Sequence, residues 1–365
     1  MPLVAQRDAT RRYLASRDAR DVVLDGHPTK LTIELTSHCQ LRCPSCPRET
    51  AHRDLLQRRN MDYSLFEQLA VKHVPQLEYL SLAGGLGEPL LYPRFVDAVR
   101  LARGLNKDCE ISISTNGLVR TALDQLIAVD GALSFVQISI DGVGEMFDAM
   151  VGRPRVWARF DRMVAEMLPL LSSVGTAVRF NSVVRPHNVA QVPAIVAKVA
   201  MWGGTRLYFN GMNLVATDLP RETYDFYWSE EFLSAMDEAA ELGEQRGVDV
   251  GWFDMREIVG FRSCEYPWDN FYISWDGTLV PCCAKPFAQL LNFGSALRPS
   301  WWNDNGLVQF RRLSNRNVSP RFCDGCHLQC GPAVPARGAS RRVLPVQAAV
   351  QDPHKGHRAA GEHPS

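Results

Sequence analysis

The sequence predicts an α/β fold built on a parallel sheet, with a small cysteine-rich domain behind it. Short apolar, β-branched runs alternate with amphipathic stretches from residue 30 to about 213. The stretches between those runs are long enough to be crossover helices rather than hairpin turns. Six of the ten cysteines fall between residues 264 and 330, after the alternating part.

In chain order, the candidate strands are 31–35, 79–82, 110–114, 135–140, 177–183 and 206–209, and the candidate helices between them include 64–73, 94–103, 156–171 and 189–199. Six β/α units imply parallel strands with right-handed crossovers, short of the eight that close a barrel. Residues 221–246 read as one long helix leading into an extended run at 248–253. The first 29 residues read as a helical or extended N-terminal extension, too short for an independent recognition domain. From residue 335 the chain is rich in Pro, Ala, Arg and His without apolar periodicity, which predicts disorder. The expected plan is therefore 1–29, 30–250, 251–334 and a tail at 335–365.

Composition narrows the function classes. The chain is 46% hydrophobic and 22% charged, ordinary for a globular protein. Forty basic residues balance forty acidic ones, so no field favours nucleic acid or an anionic membrane as a partner. No apolar run approaches a membrane span, and the first residues lack the core of a signal peptide. Reduced cysteines acting as ligands in the cytoplasm are the expectation.

The spacing Cys39-x3-Cys43-x2-Cys46 directly follows the first candidate strand. Three thiolates on one tight loop can hold three irons of a cubane iron–sulfur cluster. Four cysteines close such a cluster for electron transfer, whereas three leave one iron free for a ligand, as an open position makes a zinc catalytic. A structural zinc knuckle is the alternative for a bare three-cysteine motif. The further signals sit where strand C-termini would place reactive groups: Gly85-x-Gly87-Glu88-Pro89, then Ser114 and Asn116, then Ser139 followed by Arg153, then Val183.

These motifs resemble the radical S-adenosylmethionine (SAM) enzymes. The resemblance implies a partial (β/α)6 barrel, a 4Fe–4S cluster whose open iron binds SAM, and reductive cleavage to a 5′-deoxyadenosyl radical that removes a substrate hydrogen. It also implies a reducing flavodoxin or ferredoxin as electron donor. By position, Cys39, Cys43 and Cys46 match the cluster ligands and Gly85, Gly87 and Glu88 the element that cradles the SAM amine. Ser114, Asn116 and Ser139 match ribose contacts, Arg153 a carboxylate contact and Val183 an adenine contact. One departure is Ser45, where the family commonly has an aromatic residue before the third cysteine. Cys109, apart from every motif, reads as a buried structural thiol.

The C-terminal pattern is Cys264-x12-Gly277-x4-Cys282-Cys283, then Cys323-x2-Cys326-x3-Cys330, with a hairpin turning at Asp276-Gly277. Four sulfurs brought together this way suit either zinc or a closed 4Fe–4S cluster. The pattern resembles the SPASM and twitch domains that follow radical SAM barrels. With fewer cysteines than a full SPASM domain, it implies one auxiliary 4Fe–4S cluster held by Cys264, Cys282, Cys323 and Cys326, with Cys330 as an alternative ligand. Cys283 and Cys330 are then spare thiols.

An auxiliary electron acceptor favours oxidation of the substrate radical, and relatives with one such cluster point to dehydrogenation of a small molecule, a sugar or aminocyclitol in antibiotic assembly. The alternatives are an epimerase using Cys283 or Cys330 as hydrogen-atom donor, and a maturase of a ribosomally made peptide. The non-enzymatic alternative is a zinc-stabilised binding protein. Tyr208, Asn210, Asn213 and Asp254 are placed near the barrel mouth without assigned roles.

Overall fold

Each strand forms where the sequence offers a short β-branched or aliphatic run with a face to bury, and each helix where an apolar stripe can cover the sheet. The computed structural model describes residues 3–50, 52–83, 85–255, 260 and 263–329. Helix α1 spans Leu3–Asp18, and the β/α alternation then begins with β1 (Lys30–Ile33). There follow α2 (Tyr63–His73), β2 (Tyr79–Ser81), α3 (Phe95–Leu105), β3 (Glu110–Thr115), α4 (Ala122–Val129) and β4 (Phe135–Ser139). Next come α5 (Glu145–Met150), α6 (Trp157–Ser173), β5 (Ala177–Val184), α7 (Val192–Met201) and β6 (Arg206–Gly211). Helix α8 (Glu230–Arg246) leads into β7 (Asp249–Trp252), the hairpin β8 (Phe271–Ile273) and β9 (Leu279–Val280) comes after it, and α9 (Asn305–Asn315) lies beyond the hairpin. Among the described residues, no helix is long and apolar enough to cross a membrane.

The sheet runs β7-β6-β5-β4-β3-β2-β1-β8-β9, and its ends do not meet. All pairings from β7 to β8 are parallel; the β8–β9 hairpin alone is antiparallel. This is a partial barrel of β/α units with a cysteine-rich segment behind it, as the sequence predicts. The hairpin turns at Asp276-Gly277, where Gly277 takes φ +79° and its N–H bonds the Ser274 carbonyl at 2.9 Å.

Two elements differ from expectation. The long helix expected at 221–246 is divided: a 3₁₀ segment, Arg221–Trp228, ends at Ser229, whose side chain accepts from the Phe232 N–H and starts α8 afresh. The second difference is β8, which lies beside β1 in register Leu31↔Phe271, Thr32↔Tyr272 and Ile33↔Ile273. The C-terminal segment thus extends the barrel sheet itself. Outward-facing Leu31, Ile33, Leu80, Ile111, Ile113, Val136 and Ile138 are all buried beneath the helices. Cys109 is buried just ahead of β3, as expected. The expected tail from 335 lies outside the described residues.

Candidate functional site

Loops leaving β1, β2, β3 and β4 converge on one cavity. It is lined by Cys39, Cys43 and Cys46, by Gly85, Gly87 and Glu88, by Ser114, Thr115 and Asn116, and by Ser139 and Asp141. Within the first loop, the Cys46 N–H bonds the Cys43 carbonyl at 2.9 Å and the Glu49 N–H bonds the Cys46 carbonyl at 2.8 Å. These turns wind the backbone tightly enough to present all three thiols to the same space. Burial pushes each of them up, Cys43 to about 12, and for Cys43 the neighbouring Cys46 and Cys39 add to it. Thiols so placed release their protons when they bind a cationic metal group.

Arg48 tests whether an iron–sulfur group fits. Its guanidinium is buried, and among the described residues its three nitrogens meet no well-aligned acceptor; the polar group they approach is the Cys39 thiol. Its charge acts on Cys39 and Cys46 and offsets part of the rise that burial causes in each. A buried cation whose partner is only a protonated thiol is costly; a cubane on three thiolates carries net negative charge and would compensate it. The group fits.

The glycine loop is shaped by close packing. A Cβ on Gly87 would stand 1.7 Å from the Thr36 carbonyl oxygen, and one on Gly85 would stand 2.6 Å from Pro286 Cγ and 2.9 Å from the Cys283 carbonyl. Glu88 ties the loop to the end of β3, accepting from Thr115 Oγ1 and the Asn116 N–H, each at 2.8 Å. Burial pushes Glu88 up to about 7. The Asn116 side chain accepts from Gln40 at 2.9 Å and approaches Cys39 Sγ at 3.7 Å, joining β3 to the cysteine loop. Ser114 receives the Gln137 amide at 3.3 Å.

Arg153 and Val183 do not join this lining. Arg153 is exposed on the α5–α6 connection. Asp148 folds that connection back by accepting from the Arg155, Val156 and Trp157 N–H groups at 2.6, 3.0 and 2.8 Å. The Val183 N–H donates to Asp141 Oδ1 at 2.8 Å, so Asp141 is the residue of that pair facing the cavity. Arg48, Thr115 and Asp141 carry no spacing signal, and sequence reasoning missed them. Thr115 and Asp141 do lie inside motifs whose neighbours it singled out.

A second group of thiols gathers behind the hairpin. Cys264, Cys323 and Cys326 are buried and Cys282 is partly buried. Burial dominates the upward shift of Cys264, Cys282 and Cys323. Cys326 adds to all three, and Cys264 adds to Cys282 and Cys323. Cys264 and Cys326 thus stand close enough to act on both Cys282 and Cys323, and Cys283 acts on Cys282 more strongly still. Among the described residues, no three His, Cys, Asp or Glu side chains converge tightly enough to chelate a single metal ion. Cys283 turns aside: its sulfur lies 2.8 Å from the Tyr266 hydroxyl and lines no part of the cavity. Cys330 lies outside the described residues. Tyr208 and Asp254 are buried, and Asn210 donates to Asn181.

An open parallel barrel with three thiols at its strand ends, backed by a second thiol cluster, defines a class of enzyme that works at an iron–sulfur centre. The chain carries a radical SAM domain and a SPASM domain: the sequence profile of the radical SAM superfamily matches residues 33–191, and that of the SPASM iron–sulfur cluster-binding domain matches residues 264–327. Its cofactors are accordingly SAM, the 4Fe–4S cluster that binds it, and auxiliary iron–sulfur in the C-terminal domain. PqqA peptide cyclase of Xanthomonas oryzae pv. oryzae (strain MAFF 311018) is 26% identical over 316 residues, covering 82% of this chain and 80% of that protein. Streptococcus suis SuiB bound to precursor peptide SuiA superposes with a TM-score of 0.61 at 16% identity, over 87% of this chain and 73% of that one. Native anSMEcpe with bound AdoMet and Cp18Cys peptide gives 0.58 at 18% identity, over 82% and 87%. The two structural likenesses establish the fold.

Proposed function

We propose that this chain modifies a peptide by hydrogen-atom abstraction. The observation that carries the reading is the similarity to a PqqA peptide cyclase, which runs through 82% of this chain and 80% of the relative and so takes in both iron–sulfur domains. It supports the peptide-maturase alternative over oxidation of a sugar or aminocyclitol, and a peptide over the expected small-molecule substrate.

When bound, SAM and its cluster supply abstraction of a hydrogen atom from an unactivated C–H bond. Cys39, Cys43 and Cys46 would hold that cluster, with Arg48 balancing its charge. Gly85, Gly87, Glu88, Ser114, Asn116 and Ser139 would position SAM, and Phe147 and Val151 would exclude water from one wall. Cys264, Cys282, Cys323 and Cys326 would hold one auxiliary cluster to accept the substrate's electron. A reducing flavodoxin or ferredoxin would supply the first electron.

The test is anaerobic incubation of the reduced, reconstituted protein with deuterated candidate peptides, and separately with deuterated sugars and aminocyclitols. Deuterium should appear in 5′-deoxyadenosine from a peptide. Transfer from a sugar or aminocyclitol with none from any peptide overturns the reading.

A further inference from the structure

Glu34 is fully buried at the end of β1, five residues before Cys39, and the cavity does not use it. Its carboxylate is surrounded by donors from two distant parts of the chain. Oε1 accepts from the Leu86 N–H at 3.2 Å, within the glycine loop, and Oε2 accepts from Ser274 Oγ at 3.4 Å, just past β8. The Tyr272 hydroxyl and the Trp275 N–H complete the set. Tyr272 closes the circuit: its oxygen accepts from the Gly85 N–H at 3.1 Å, which leaves its own proton for Glu34.

The hairpin therefore grips the glycine loop in three ways. Tyr272 binds the Gly85 N–H directly, Glu34 joins Leu86 to Ser274, and Pro286 and the Cys283 carbonyl pack where a Gly85 side chain would stand. The pairing Thr32↔Tyr272 holds the hairpin at the right height, and the Glu34 N–H donates to the Ile273 carbonyl at 2.9 Å. Polar groups buried this deeply hold position because leaving any of them unpaired costs more than the bond itself contributes.

We infer that Glu34 and Tyr272 are positioning residues through which the C-terminal iron–sulfur domain fixes the glycine loop, so that SAM affinity depends on a side chain of the strand which that domain adds to the sheet. The inference rests on the reading of residues 85–88 as the SAM loop. Tyr272 touches neither SAM nor substrate in this role; it acts through the Gly85 N–H.

The test is equilibrium SAM binding to the reconstituted, unreduced holoprotein, where no cleavage occurs. Tyr272→Phe keeps the ring and removes the hydroxyl, orphaning the Gly85 N–H and one site on Glu34. The SAM dissociation constant should rise about threefold to tenfold, the worth of one buried hydrogen bond, while iron content stays at the wild-type level and the melting temperature falls by a few degrees at most. Glu34→Gln, which keeps the size and loses acceptor capacity, should weaken SAM binding in the same direction. Ser114→Ala separates the two layers of the argument. If it weakens SAM binding and Tyr272→Phe does not, the inference falls alone. If neither weakens it, the cofactor-site reading falls and takes the inference with it. Weaker SAM binding that appears only with loss of iron or a collapse in melting temperature also overturns it.

Discussion

Glu34 and Glu88 are both fully enclosed, and burial pushes each up to about 7. Each binds its proton more tightly in the folded chain than in the unfolded one, where the value is about 4.3. The stability they contribute is whole below that value and is lost as pH rises through about 7. Melting temperature should therefore decline between pH 5 and pH 8, and Glu34→Gln, having no proton to release, should flatten the decline; an equally steep curve in the variant would refute the assignment. Arg48 acts on the opposite charge. Arg48→Met removes a buried cation beside the Cys39 and Cys46 thiols, so, if these hold the cluster as proposed, its midpoint potential in a redox titration should fall by tens of millivolts. Cys283→Ala should retain turnover, because that thiol faces Tyr266 and not the cavity; loss of product with hydrogen abstraction intact would restore the epimerase alternative. The cysteine triplet and the glycine loop were legible because their chemistry demands fixed spacing. Arg48 was not, since a lone arginine after a proline becomes meaningful only when folding buries it against the Cys39 thiol.

At the scale of elements, the strands were legible because β-branched and aliphatic residues recur at alternate positions on the helix-covered face, as Leu31 and Ile33 or Ile111 and Ile113 do, a period that short sequence windows preserve. The division of the helix at Ser229 was missed because apolar residues continue through 221–228 in near-helical spacing. What breaks it is capping: Ser229 is extended at ψ 152°, with Glu230 and Glu231 in the first turn beyond it. Ser229→Ala should cost about 1 kcal/mol in a denaturant titration; no change would mean that α8 is held by packing alone. The partnership of β1 with β8 had no local signature at all. Parallel pairing between residues 240 positions apart, such as Leu31 and Phe271, is decided by what the remaining sheet leaves open, and no short window records that.

Across the whole molecule, the N-terminal helix and the C-terminal segment clasp each other around the barrel's first edge. Tyr13 donates to the Trp268 carbonyl at 2.5 Å, the Arg20 guanidinium lies 3.9 Å over the Trp268 ring, and Asp269 pairs with Lys30 at 2.8 Å. Arg311 on α9 completes the clasp from full burial, bonding the Pro267 and Val22 carbonyls at 2.7 and 3.1 Å. Arg311→Met should destabilise the chain by about 3 kcal/mol, since several carbonyls lose a charged donor at once; a loss below about 1 kcal/mol would show that the clasp contributes little. The place of β8 beside β1 also sets the order of assembly. A ribosome releases the triplet-bearing strand early and its neighbour some 240 residues later, so throughout synthesis one flank of the nascent sheet stays bare, its amides and carbonyls open to stray pairing. The cavity's own lining is spun out within the first half of the polypeptide, yet the Gly85 amide and the Glu34 carboxylate wait for Tyr272 and Ser274 before they are held.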